Sequence, residues 1–350
     1  INMYYREFFP YSLIENFLSD KTQMIKYELA LFGPNAKILE RHVNFKDGSS
    51  MRSMMLKRPV MRIELGPELL EMRNGREARL VPCRSMLVFD LDVEDYANVL
   101  WSSIIPTKET GLDETSWKHL RLSAQLLDLF LRIIVFDADD DNRKANEANG
   151  GNAHPYRSLA VFSGRRGVHL WLPDHYRDWN NVDEMNHIMR SLSNLQTKKG
   201  ASTMAKLIKH HPLARAFVSE AQHFAWEGLQ ENSPLWQRSR NLCCKYFLKR
   251  VGARKGSSPK NNSMLIAAII LLAPRVDRQV TRDFKHLIKL PFSAHPGSGL
   301  LSTPFELHRL NSPISFDQVK ISIRSIRGAE SKLRCATQAF KRALWSEGQQ

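Results

Sequence analysis

Two short stretches carry residue types at spacings suited to chemistry on phosphates. In LVFDLDV (87–93) the acids Asp90 and Asp92 are two residues apart in an apolar, β-branched run. Side chains at i and i+2 of a strand point to one face, so these carboxylates project together, about 6.5 Å apart along the strand. Like charges so placed repel unless a cation lies between them, and hard divalent ions take carboxylate oxygens. The same triplet also suits a strand end that simply turns polar at the surface. In SGRRGVH (163–169) two arginines sit between glycines, with Ser163 before them and His169 after. Gly164 and Gly167 permit a tight turn and close approach to a ligand. Arg165 and Arg166 then offer planar forks that match phosphate oxygens. A solvated basic hairpin turn would need neither the paired glycines nor the serine and histidine.

A third group lies far downstream. Asp277, in APRVDRQVT, follows an apolar helix, and Lys289 and His295 bracket a Pro-Phe turn in HLIKLPFSAHP. Taken singly, each suits a mundane role: a helix cap, an ion-pair partner, a core histidine. Asp137, Asp139, Asp140 and Asp141 could bind a cation too, but their Asn- and Gly-rich segment reads as a solvated loop, where ordering costs entropy.

These residues must be held by elements of an α/β kind, with a mixed sheet. Residues 4–35 read as helix, broken at Pro10 and ending at Gly33-Pro34. ILERHVNF, SMRSMML and VMRIELG (38–66) alternate polar and apolar and read as strands, with Asp47-Gly48 as a hairpin turn. Residues 85–93 read as a strand and 114–134 as an amphipathic helix. SLAVF and VHLWL are strands on either side of the arginine turn. Residues 182–270 are mostly helical and strongly basic, and a last helix lies near 329–346. The layout is a catalytic core from 1–173 and 274–350, interrupted at 174–273 by a mostly helical insertion.

The totals agree. Of 350 residues 43% are apolar, enough for a sizeable core, and the formal charge of +15 favours a polyanionic partner. The longest apolar run, MLIAAIILLAP (264–274), is too short to span a bilayer and reads as a buried helix. The amino terminus, INMYYREFFPYSL, lacks a secretory pattern, and because it opens without Met a short leader is expected before it. The four cysteines (Cys83, Cys243, Cys244, Cys335) form neither a CxxC pair nor a zinc spacing, which points to a reducing, intracellular setting.

FDLD followed by DY (89–96), SGRRGVH, and VDRQVT…HLIKLPFSAHP (276–296), in that order, together with the opening YYREFFP, resemble the small catalytic subunit of eukaryotic and archaeal DNA primases. The resemblance implies a primase-type core and a nucleotidyl transferase using two ions of Mg2+ or Mn2+. In it Asp90, Asp92 and Asp277 match the metal-binding acids. Ser163, Arg165, Arg166 and His169 match the triphosphate turn. Lys289, His295 and Arg52 match further nucleotide contacts. The implied activity is synthesis of short RNA primers on a single-stranded DNA template from ribonucleoside triphosphates. The implied partners are a large, iron–sulfur-containing primase subunit and a DNA polymerase complex, with no membrane and a nuclear location. This chain has no cysteine set for a cluster, so any cluster would be the partner's. The chain departs from the family in three places. No cysteine stands between residues 84 and 242, so the family's structural zinc is not expected; LWSSIIPTKETGLDETSW (100–117) lies where its ligands would be. His42 follows Arg41 where Glu is usual, and HPGSGLL lacks the basic residues often found after the histidine. Two other readings stay open: a primase–polymerase of repair or damage bypass that uses deoxynucleotides, and a non-catalytic scaffold that binds nucleic acid.

Overall fold

A computed structural model describes residues 2–18, 27–33, 37–43, 45, 47–74, 77–96, 112–136, 156–229, 262–309 and 312–345. Two short helices, α1 (Asn2–Glu7) and α2 (Tyr11–Leu18), flank Pro10 as the sequence implies. The helix does not continue: β1 (Tyr27–Phe32) is a strand with all six residues buried. YELALF shows no alternation because both of its faces are covered, and an apolar run without period cannot be told from a buried helix.

β1 pairs antiparallel with β2 (Ile38–Val43) and with β3 (Arg62–Asn74). Between them SMRSMML is not a strand but part of α3 (Gly48–Leu56). Asp47 does not start a hairpin; it caps this helix. Its side chain accepts the Ser50 N–H at 2.7 Å, and the Ser50 hydroxyl oxygen accepts the Asp47 N–H at 3.1 Å. Asp-Gly serves a hairpin or a helix start equally well, and this reciprocal cap decides it. Met51 and Met55, one helical turn apart, are the side chains α3 buries.

β4 (Glu77–Asp92) runs on from β3 as a long antiparallel ribbon and pairs on its other side with β6 (Gly167–Arg177). β5 (Leu159–Phe162) pairs with β6 and with β8 (Thr303–Phe305), and the two-residue β7 (Ile288–Lys289) adds to β3. The order is β2-β1-β3-β4-β6-β5-β8, antiparallel throughout.

This sheet divides two cores. Leu87, Phe89 and Leu91 of β4, with Val168, Leu170 and Leu172 of β6, meet α4 (Glu114–Phe130). Helices α5 (Val182–Asn194), α6 (Lys198–Ile208), α7 (Ala214–Leu229) and α8 (Asn262–Leu272) join that same apolar cluster. Met86, Val88, Val161 and Trp171 face the other way, onto α1, α2 and the last helix, α11 (Glu330–Leu344). The short α9 (Arg278–Arg282) and α10 (Phe316–Val319) lie between. Burying a large side chain such as Trp171 on this face contributes about 2–3 kcal/mol.

The acidic loop at 137, the region expected to replace the zinc ligands up to residue 111, the basic KRVGARKG and the Cys243-Cys244 pair lie outside the described residues. Among the described residues no helix is long and apolar enough to cross a membrane.

Candidate active site

The period of two that sends Leu87, Phe89 and Leu91 into one core leaves Asp90 and Asp92 on the opposite face, at the end of β4. Across the ladder Asp90 stands opposite His169, and Asp92 opposite Gly167. Asp277 comes to them through the main chain, its N–H donating to the Asp90 carbonyl at 2.9 Å. The Asp277 side chain caps α9, accepting the N–H of Gln279 at 2.7 Å and of Val280 at 3.3 Å. The mundane reading of Asp277 as a cap therefore holds, and the cap is what fixes it beside the pair.

The electrostatics mark this corner as short of positive charge. Burial, then Asp92, then Asp277 raise the Asp90 carboxyl to about 7, although Lys289 pulls it down. Asp95 is pushed up by burial and by the same two acids. Among the described residues no three His, Cys, Asp or Glu side chains are yet gathered tightly enough to hold an ion. The donor chemistry nevertheless fits a hard divalent cation, because the three groups are carboxylates that destabilise one another. Asp90, Asp92 and Asp277 would hold it.

The arginine turn faces these acids. The Ser163 N–H donates to the Gly167 carbonyl at 2.9 Å, and its hydroxyl accepts the Gly167 N–H at 3.0 Å. Gly164 has φ +82, and a Cβ there would lie 2.9 Å from the Leu300 carbonyl oxygen, so only glycine fits. Arg166 ion-pairs with Glu94 and lies 3.6 Å from Asp92. Burial, with Lys289 next in weight, lowers the His169 imidazole to about 3. Its 3.5 Å contact with Asp90 is thus not an ion pair near neutral pH.

Lys289 and His295 complete the basic side. Lys289, in β7 opposite Glu64, donates from Nζ to the Ser163 carbonyl at 2.6 Å. Burial lowers its ammonium to about 8. His295 Nδ1 accepts the N–H groups of Gly297 and Ser298, each at 3.2 Å, and burial followed by Lys289 and Arg165 holds the ring neutral, down to about 3. The segment between them turns at Phe292, whose φ is 66. The buried Tyr4 hydroxyl donates to the Phe292 carbonyl at 2.7 Å, and the Tyr5 hydroxyl accepts the Ala294 N–H at 3.3 Å. The opening YYREFFP is thereby the brace behind the basic residues.

Arg52 is not brought to this group. It lies on the exposed side of α3, and its guanidinium donates to the Arg6 carbonyl of α1 at 2.9 Å. Arg62 stands at the site instead. It packs over the Phe32 ring at 4.0 Å and lies 3.2 Å from Glu64, and its charge is felt at both Lys289 and His295. Sequence reasoning misses Arg62 and Glu64 because only the β3–β7 pairing brings them to Lys289; their i, i+2 spacing in VMRIELG is the available signal.

Comparison with known proteins bears on this arrangement. The family described as DNA primase small subunit matches residues 89–307, from the acidic strand to beyond His295. The chain belongs to the DNA primase small subunit family. The DNA primase small subunit of Schizosaccharomyces pombe is 25% identical over 374 residues, covering 91% of this chain and 74% of that protein. Those of Drosophila melanogaster and Saccharomyces cerevisiae are each 24% identical, covering 87% of this chain and 76% and 80% of theirs. A solved structure, the polymerase domain of Mycobacterium tuberculosis Ligase D in complex with DNA, aligns over 95% of this chain and 89% of its own at 10% identity and a TM-score of 0.40, too distant to carry an argument. In this primase small subunit, acids and cations converge where the end of β4 meets the start of β6, within the matched residues.

Proposed function

We propose that this chain synthesises short RNA primers on single-stranded DNA by two-metal nucleotidyl transfer. The observation that carries this reading is the main-chain bond from Asp277 to Asp90, which sets a third acid beside a pair already in mutual repulsion, opposite a glycine-framed arginine turn. Bound Mg2+ or Mn2+ would lower the charge barrier between the attacking 3′-hydroxyl and the triphosphate, and stabilise the leaving pyrophosphate. Asp90, Asp92 and Asp277 would hold the cations. Arg165, Arg166 and Lys289 take up phosphate charge. Ser163 and Gly164 set the backbone of the turn, and neutral His295 positions its far end. Arg62 keeps the basic side charged where burial has weakened Lys289.

The same reading makes residues 1–173 and 274–350 the catalytic core and 174–273 an inserted helical part. It assigns as partners a large primase subunit with an iron–sulfur cluster and a DNA polymerase complex, in the nucleus. The test is incorporation on an unprimed single-stranded template, with ribonucleotides or deoxynucleotides supplied separately with Mg2+ or Mn2+. Primers from ribonucleotides, abolished by Asp92→Ala with DNA binding retained, are the expected result. Products from deoxynucleotides alone would assign the chain to bypass synthesis, and synthesis undiminished in Asp92→Ala would overturn the metal assignment. Charge reversal at Arg165 and Arg166 should raise the nucleotide concentration required by at least about 10-fold, given two charge-assisted hydrogen bonds to phosphate.

A further inference from the structure

Just past β6 the chain carries a feature that no step of nucleotidyl transfer uses. Trp179 stands just past the end of β6 with 65% of its surface exposed, the most exposed of the large apolar side chains described. Its place is well defined. The Asp178 carboxylate accepts the N–H of Asn180 at 2.7 Å and of Asn181 at 3.1 Å, and the Asn181 amide donates to the Tyr176 carbonyl at 2.6 Å. The indole and buried Phe284 form a T-shaped pair, with centroids 4.7 Å apart at 79°, and Lys285 Nζ lies 4.9 Å from the indole centroid. Arg177, buried at the strand end, donates to the Val280 carbonyl and ties this turn to α9. A tryptophan fixed this firmly yet left in water is poised for a partner.

The surroundings identify the partner. Arg278, Arg282 and Lys285 are exposed on and just after α9, the helix that Asp277 caps. Arg275 and Arg278 also line a cavity of about 200 Å³ with Asp95, beside the acids. The two acids at this turn are each committed to main-chain groups: Asp283 accepts the Lys285 N–H at 2.9 Å, and Asp178 accepts the N–H of Asn180 and Asn181. A basic track thus leads from the carboxylates to an exposed indole. The helix between them has five residues and is about 7.5 Å long, a span of about two stacked nucleotides. Aromatic faces with flanking Lys and Arg bind unpaired bases and their phosphates, whereas a duplex hides its base faces.

We infer that Trp179, with Arg282 and Lys285, forms a stacking site for single-stranded nucleic acid, holding the template strand at the end of α9 away from Asp277. This rests on the reading of the chain as a primase, but the surface can be judged by binding alone. The probe is a fluorescein-labelled oligodeoxythymidylate, titrated by anisotropy against the full chain at several salt concentrations, alongside primer synthesis at saturating template. Trp179→Ala should weaken binding about 10-fold, and Trp179→Phe should restore most of it. Combining Arg282→Ala with Lys285→Ala should flatten the salt dependence of log Kd by about 1.4, because two phosphates are then no longer neutralised. The rate at saturating template should stay within about twofold of wild type, since stacking fixes the strand without touching the reacting phosphate. An oligonucleotide affinity unchanged in both variants overturns the inference and leaves the primase reading intact, as does a loss confined to binding of a protein partner. Weakened binding in a wild-type background that makes no primers would support the surface while the primase reading fails.

Discussion

Asp90 and Asp128 are both drawn into the protein, and their surroundings differ in the one respect that separates a working site from a scaffold. Asp128, on α4, is fully enclosed and fully answered. Tyr156 donates its hydroxyl to one carboxylate oxygen at 2.8 Å; His308 Nε2 lies 2.8 Å and Arg132 3.7 Å from the other. Burial alone would raise its pKa, but the His308 hydrogen bond and charge, with Arg132 and Ser158, hold it well below the ordinary carboxylate range. Among the described residues Asp90 meets only a neutral imidazole at ion-pairing distance, and two acids push it up. A buried charge that the protein satisfies by itself is part of its scaffold, and removing one partner leaves the others buried and unpaired. A group of charges that the protein leaves unsatisfied implies a partner from outside.

The comparison can be broken most severely through catalysis. Asp90→Asn and Asp277→Asn should each lower primer synthesis by at least about 10³-fold, several kcal/mol of transition-state stabilisation, as measured by single-turnover incorporation. Asp128→Ala should do the reverse. It should cost about 3 kcal/mol of stability by denaturant titration, because Arg132 and His308 lose their buried partner, while the rate per folded molecule is kept. If Asp128→Ala proves as inactive as Asp90→Asn while fully folded, the division between the two regions is wrong.

A smaller effect has the opposite sign from what is expected of a core substitution. In chelator-treated protein the folded Asp90 carboxyl stays protonated up to about 7, against an ordinary value of 3.8. The folded state then binds more protons than the unfolded state between those values. Its stability from this group is highest below pH 4 and falls as pH rises to 7. Asp90→Asn should therefore raise the melting temperature at pH 8, by about 1.5 °C for each 1 kcal/mol of repulsion relieved. The gain should vanish near pH 4. His169 and His295, both held neutral to about 3, work the other way, costing stability as pH falls below 6.5. The difference between variant and wild type isolates the Asp90 contribution. Adding Mg2+ should stabilise wild type at pH 8 more than the variant.

The smallest expected change sharpens the comparison at its edge. Tyr4→Phe removes the bond to the Phe292 carbonyl, which should cost about 1 kcal/mol. Because that bond braces the Lys289–His295 segment, the KM for nucleotide should rise about twofold to fivefold with kcat little changed. A stability loss with no KM change would confine Tyr4 to the core.

Much of the strand framework is legible in the chain because its physics is local. LVFDLDV alternates by two, so Leu87, Phe89 and Leu91 go inward and the acids share the other face wherever the strand lies. Two glycines around Arg165 and Arg166 permit a tight turn, and Gly164 adopts the positive φ that this turn needs. YELALF and SMRSMML mislead because their cues are ambiguous at short range. An apolar run buried on both faces has no period, and Asp-Gly opens hairpins and helices alike. The tertiary structure alone decided the long-range meetings: Asp277 on the Asp90 carbonyl, Glu64 opposite Lys289 with Arg62 beside them, Tyr4 under Phe292, and Arg52 turned away to α1. Those depend on sheet order and on which backbone groups find partners across the fold, and no spacing along a chain encodes a contact between residues that only packing brings together.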